Sequence, residues 1–216
     1  MSTISLSDCI TPSRSSIISN PFGQTSKKGG GKSKIAPVGN RSKEGIIELP
    51  DYISPPPKDS REKREWDRMS TRMQGFHSYF RMAFKQIFEL SDGSFQARGL
   101  SVSDFMSVIE DFLQHLTFHH GIEEQHIFPV LKQRMPHFQL EHQEEHDAIH
   151  NGMHALEELT KKFKSNPTSY SPDELRGNLK SWGPLLFWHL DAEVESLKAD
   201  VLRRYYTLEE VKRLPM

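Results

Sequence analysis

Eleven of the 216 residues are histidine, and several stand four positions from another histidine or from a glutamate. The pairs are His119 with Glu123, His142 with His146, and His189 with Glu193. On a helix, residues four apart share a face, with Cβ atoms roughly 5–6 Å apart. Two such side chains can converge on one ion or serve two neighbouring ions. His77 adds a further imidazole. Imidazole and carboxylate donors without thiolate suit iron, manganese or zinc. The single cysteine, Cys9, lies in a polar stretch, which excludes a cysteine-rich zinc or iron–sulfur site and an internal disulfide framework.

These residues interrupt apolar stripes at steps of three and four. One stripe runs Trp66, Met69, Met73, His77, Phe80, Phe84, Ile87; the next runs Phe105, Phe112, Leu116, His119, Glu123, Ile127, Val130. The third holds His142, His146, Ile149, Met153, Leu156 and Phe163, and the fourth Leu175, Leu179, Trp182, Leu186, His189, Glu193, Leu197 and Val201. A lone core histidine is ordinarily a hydrogen-bonded structural residue. Five imidazoles and two carboxylates aimed at one interior are another matter. Unpaired, each would cost roughly 1–3 kcal/mol, and a buried charge more. The sum approaches the whole stability of a domain, on the order of 5–15 kcal/mol. Metal coordination offsets that cost. Seven donors exceed one tetrahedral zinc and suit two ions, with His77, His119, His142, His146 and His189 as terminal ligands and Glu123 and Glu193 as bridges. A ferritin-type arrangement needs two Glu-x-x-His motifs; only Glu123 to His126 fits that spacing.

The elements that must carry these residues are helices. The periodicity predicts helices over about 60–90, 101–135, 137–165 and 171–206. Ser101 with Asp104, and Ser171-Pro172-Asp173-Glu174, are N-terminal capping signals. Short links between long amphipathic helices predict an all-α domain, an up-down-up-down antiparallel four-helix bundle over residues 60–206. Pro129 and Pro184 fall inside helices near the site and are expected to bend them. Residues 1–59, rich in Ser, Gly, Lys and Pro, read as a disordered tail, and 207–216 as a short C-terminal extension.

A formal net charge of −1 gives no electrostatic case for nucleic acid or an acidic membrane as partner, and no apolar run is long enough to span a bilayer. The expected location is cytoplasmic, with a mitochondrial alternative from a weakly transit-like N-terminus.

His119-His120-Gly121-Ile122-Glu123-Glu124 with Ile127-Phe128-Pro129, His142-Gln143-Glu144-Glu145-His146, and His189-Leu190-Asp191-Ala192-Glu193 together resemble the hemerythrin family, in its HHE-type domains, over about residues 60–205. The resemblance implies that His77, His119, Glu123, His142, His146, His189 and Glu193 hold two iron ions bridged by carboxylates and an oxo or hydroxo group. It implies a small-molecule ligand: dioxygen, peroxide or nitric oxide. The oxygen carriers of that family place an aspartate five residues after the last histidine, whereas here a glutamate follows after four, which argues against simple oxygen transport. Binding or sensing of dioxygen and iron is the first expectation; a di-iron oxidase, peroxidase or nitric-oxide-handling enzyme is the alternative. His120 and Glu124 form a second ladder one residue out of step, which offers Glu124 as an acceptor for a ligand imidazole. His150 and His154 are expected on a solvated face, and His126 and His137 at the surface or a helix end.

Overall fold

The computed structural model describes residues 53–216. Among these residues the structure is all helical, with no strand. Four helices are long: α2 (Arg68–Leu90), α3 (Val102–Ile122), α5 (Glu141–Ser165) and α6 (Pro172–Ser196). The short ones are α1 (Ser60–Trp66), α4 (Phe128–Leu131), α7 (Ala199–Leu202) and α8 (Leu208–Val211). Helix α5 packs on α3 and α6, and α2 packs on α6 and α3. Each long helix thus borders two others around a shared interior.

The caps form as their chemistry dictates. The Ser101 hydroxyl accepts from Asp104 N–H at 3.1 Å while Asp104 accepts from Ser101 N–H at 2.9 Å, closing a reciprocal capping box. Ser171 accepts from Glu174 N–H at 3.3 Å, with Pro172 at the first helical position.

All four expected rods are interrupted or shortened. The first divides at Asp67, whose backbone leaves the helical region at φ −84°, ψ 6°; its carboxylate instead accepts from Ala199 N–H at 3.2 Å, at the start of α7. The second widens into a π turn over Glu123–Ile127, immediately before Pro129 in α4. A proline ring clashes with the carbonyl four residues back, and a wider turn relieves that clash; such turns gather at functional sites. The third helix begins at Glu141 rather than His137, because extended Met135 (φ −113°, ψ 99°) and Pro136 force a separate 3₁₀ turn. The fourth stops at Ser196, and α7 follows extended Lys198.

Residues expected to lie outside the bundle are anchored to it. Ser54 is buried, its hydroxyl donating to Tyr206 O at 2.8 Å, and the Arg203 guanidinium donates to Ser54 O. The last turn is held by Arg68 and Arg72, which donate to the carbonyls of Val211 and Met216. Residues 1–52 of the expected tail lie outside the described residues.

The core has two parts, with the polar cluster between them. One is a set of aromatic contacts, Phe80–Phe112, Phe84–Phe112 and Phe84–Trp182. The other joins Trp66, Met69, Met73, Phe128, Leu131, Leu197, Leu202 and Val211. Two glycines set close approaches in the aromatic part. A Cβ on Gly152 of α5 would fall 2.4 Å from Trp182 Cγ, and one on Gly183 of α6 would fall 2.5 Å from Phe84 Cζ.

Candidate metal centre

All seven expected residues are buried, and six of them face one another. From α2, the His77 Nδ1–H donates to the Leu190 carbonyl at 2.8 Å. A carbonyl can only accept, so in the neutral ring Nε2 carries a lone pair. That Nε2 lies 3.2 Å from His119 Nε2 on α3. From α5, His146 Nδ1 lies 2.8 Å from Glu124 Oε1, and from α6, His189 Nδ1 lies 2.8 Å from Glu145 Oε2. With these N–H groups committed to carboxylates, the bare Nε2 atoms of His146 and His189 meet at 3.1 Å. Tying the far nitrogen of an imidazole to an acceptor is how metal-ligand rings are oriented.

The two glutamates join the two imidazole pairs. Glu123 Oε1 lies 2.9 Å from His119 Nε2, and its Oε2 lies 3.6 Å from His146 Nε2. Glu193 Oε2 lies 3.4 Å from His77 Nε2 and 3.7 Å from His189 Nε2. Both carboxylates are fully buried, and neither has a hydrogen-bond partner among the described residues.

Burial governs the protonation here. It pushes His119 down to about 4 and His146 down to about 3, and His120 well below the usual imidazole range, so these rings are neutral near pH 7. Glu123 is pushed well above the carboxylate range by burial and by the charge of Glu193. Glu193 feels the same burial, but the His77 imidazole and then His189 and His119 hold it at about 2. Imidazole Nε2 atoms apposed at 3.1 and 3.2 Å, beside buried carboxylate oxygens, constitute a cradle for cations. The donor set of imidazole and carboxylate fits iron, manganese or zinc.

His142 stands apart from this cradle. Its Nδ1 meets Glu145 Oε2 at 3.1 Å and its Nε2 meets Ser196 Oγ at 3.2 Å. Glu145 therefore serves His142 and His189 together, and these contacts, overcoming a burial effect that raises it, hold its carboxyl at about 2. Sequence reasoning passed over Glu145, although its place three residues after His142 puts both on one face. It also set aside His120, which is fully buried and stacks on His146 with ring centroids 4.1 Å apart. The contact considered for Glu124 is present, and half-buried His150 approaches the same carboxylate at 3.4 Å. His126 and His154 are exposed and His137 is half-buried.

Of the residues facing the cradle, His119 is the one with measurable exposure, 8 %. Phe80 and the exposed Phe76 lie against its ring, with centroids 4.9 and 5.6 Å away. No helix among the described residues is long and apolar enough to cross a membrane.

The family model for the hemerythrin HHE cation-binding domain matches residues 68–201, which takes in every residue of the cradle. A curated relative, the dimeric xanthone biosynthesis cluster protein R11 of Cryptosporiopsis sp. (strain 8999), is 27% identical over 115 residues. That match spans 52% of this chain and 42% of the relative, less than half its length. No solved structure matches the chain.

Proposed function

This chain belongs to the hemerythrin HHE cation-binding domain family, and on that premise we propose that it binds dioxygen, or a related molecule such as peroxide or nitric oxide, at a binuclear non-haem iron centre. In this reading the four long helices run alternately up and down around the centre. His77 and His119 would hold one ion and His146 and His189 the other, with Glu123 and Glu193 between the two pairs of rings. His142, the seventh residue expected to bind metal, stands behind His189 and reaches it through Glu145. Two ferrous ions, when bound, supply the electrons and the open coordination that such a ligand requires. The chain's own residues fix the ring tautomers through Leu190, Glu124 and Glu145 and exclude bulk water with Phe76 and Phe80.

The observation that carries this reading is the apposition of His146 Nε2 and His189 Nε2 at 3.1 Å, with both Nδ1 atoms against carboxylates. Two neutral imidazoles so oriented turn both Nε2 lone pairs towards one point, where a cation can be held. The narrow exposure at His119 supports a ligand of few atoms. The test is metal content per chain on purified protein, with absorption spectra under air and under nitrogen. A pair of irons and a visible band that forms in air and reverses under nitrogen are expected. Absence of bound transition metal would overturn the reading, and irreversible oxidation would overturn the binding or sensing role.

The matched relative favours a second reading. It is named for a biosynthesis cluster, which suits a di-iron oxidase or peroxidase. Catalytic consumption of peroxide by iron-loaded protein, lost in Glu193→Ala, would select that reading over reversible binding.

A further inference from the structure

The proposed pair of ions leaves one buried imidazole without a role. His120 sits in the last turn of α3 with no exposed surface. Neither ring nitrogen has a hydrogen-bond partner among the described residues, although a neutral imidazole offers both a donor and an acceptor. Buried polar groups are ordinarily satisfied, and an exception calls for a reason such as a missing ion.

Its surroundings supply that reason. The ring lies nearly parallel to His146, at 19° and 4.1 Å, and edge-on to His189 at 5.8 Å. One ring nitrogen from each of His120, His146 and His189 lies within 4.8 Å of the other two. Among the described residues this is the one candidate cluster made of imidazoles alone. His142 presents the opposite case, since Glu145 and Ser196 already occupy its two nitrogens.

We infer that His120, rather than His142, is the third imidazole of the metal position formed by His146 and His189. The inference rests on the binuclear reading and completes it. Both members of the His119-His120 dipeptide then bind metal, one to each ion, because the end of α3 is buried on two adjacent faces. The two positions become unlike: His77 and His119 frame one, and three imidazoles frame the other.

Cobalt(II) titration of the metal-free full chain tests this, with bound metal counted by elemental analysis and coordination followed by visible absorption. Wild-type protein is expected to take up two cobalt ions. His120→Ala should hold one, or bind the second at least tenfold more weakly, while His142→Ala should keep both within about threefold of wild type. His120→Gln, which retains bulk and polarity, gives the same reading if the alanine variant does not fold. Added imidazole should restore the second ion to His120→Gly, a rescue that a merely structural role would not give. Unchanged binding of both ions in the folded His120 variants would overturn the inference, as would loss of an ion in His142→Ala. Wild-type protein that holds one ion or none would overturn the binuclear reading itself, and this assignment with it.

Discussion

Glu145 Oε2 lies 2.8 Å from His189 Nδ1, and the same oxygen is 3.1 Å from His142 Nδ1. The carboxyl is held at about 2, so it is ionised at neutral pH and can only accept. It fixes the tautomer that turns the His189 Nε2 lone pair inward. Glu145→Gln removes that charge while keeping the shape. Metal affinity is expected to fall about 10–100-fold, the usual loss for a partner behind a metal-bound histidine. Competition against a chromophoric chelator measures it, and unchanged affinity would show that Glu145 has no orienting role.

Glu123 should pull stability and binding in opposite directions. Its carboxyl is fully buried beside Glu193, with no hydrogen-bond donor on either oxygen. Because burial raises this carboxyl, folding at neutral pH forces it to take up a proton or to stay charged in the interior, a cost that an amide does not carry. Glu123→Gln is thus expected to raise the melting temperature of metal-free protein while weakening metal binding. Calorimetry of the metal-free forms decides the first half. A lowered melting temperature would mean that Glu123 is satisfied without an ion.

Acid should destabilise the metal-free protein well before its carboxylates titrate in the unfolded chain. His119 and His146 are held at about 4 and about 3, and His120 lower than usual as well, against roughly 6.5 for an unfolded imidazole. Between pH 7 and about 4.5 the unfolded chain therefore binds up to three protons that these folded rings refuse. Glu123 works the other way, because the folded state keeps a proton that the unfolded chain gives up above about 4.3. The imidazoles outnumber it, so the unfolded state binds more protons and stability falls as pH falls. Melting temperatures across this range should decline steadily on acidification.

Chelation should cost stability by mass action. A ligand at a thousand times its dissociation constant stabilises by about 4.1 kcal/mol, and 1 kcal/mol moves the midpoint of a domain of this size by roughly 2–4 °C. Stripping tightly held metal is thus expected to lower the melting temperature by roughly 8–16 °C. An unchanged midpoint in protein proven to contain metal would show that the ions do not stabilise the fold.

Phe76 is more than half exposed and lies against the His119 ring. Phe76→Ala should speed the binding of azide or peroxide to metal-loaded protein without changing the final spectrum. Stopped-flow absorption separates the two quantities. A slower approach to equilibrium would place the entrance elsewhere.

The stripes that the sequence displays proved to be core: Met69, Phe84, Leu116, Ile149, Leu186 and Leu197 are all buried. The spacing of four also drew attention to residues that meet in space, because side chains on one helical face must share a neighbour. What periodicity left out is set by chain breaks and by contacts across helices. The π turn before Pro129 depends on how one ring meets one carbonyl, which no repeat encodes. Asp67 looked like an ordinary helix residue, yet its carboxylate is held by an N–H 132 positions away. His120 was set aside because its line on α3, with Leu113 and Thr117, is the less apolar one; the ring is buried all the same, stacked on His146 of α5. Glu145 went unnoticed because one carboxylate shared by two rings is a property of α5 and α6 together.

Gly152 stands six residues after His146 on α5, and Gly183 stands six residues before His189 on α6. At a rise of 1.5 Å per residue, each glycine is about 9 Å along the axis from its imidazole. The bare α-carbon of Gly152 sets how closely α5 approaches α6, that of Gly183 how closely α6 approaches α2, and a single added methyl would act as a wedge. The bite between the two imidazoles is therefore adjustable from a distance, by atoms that never touch an ion.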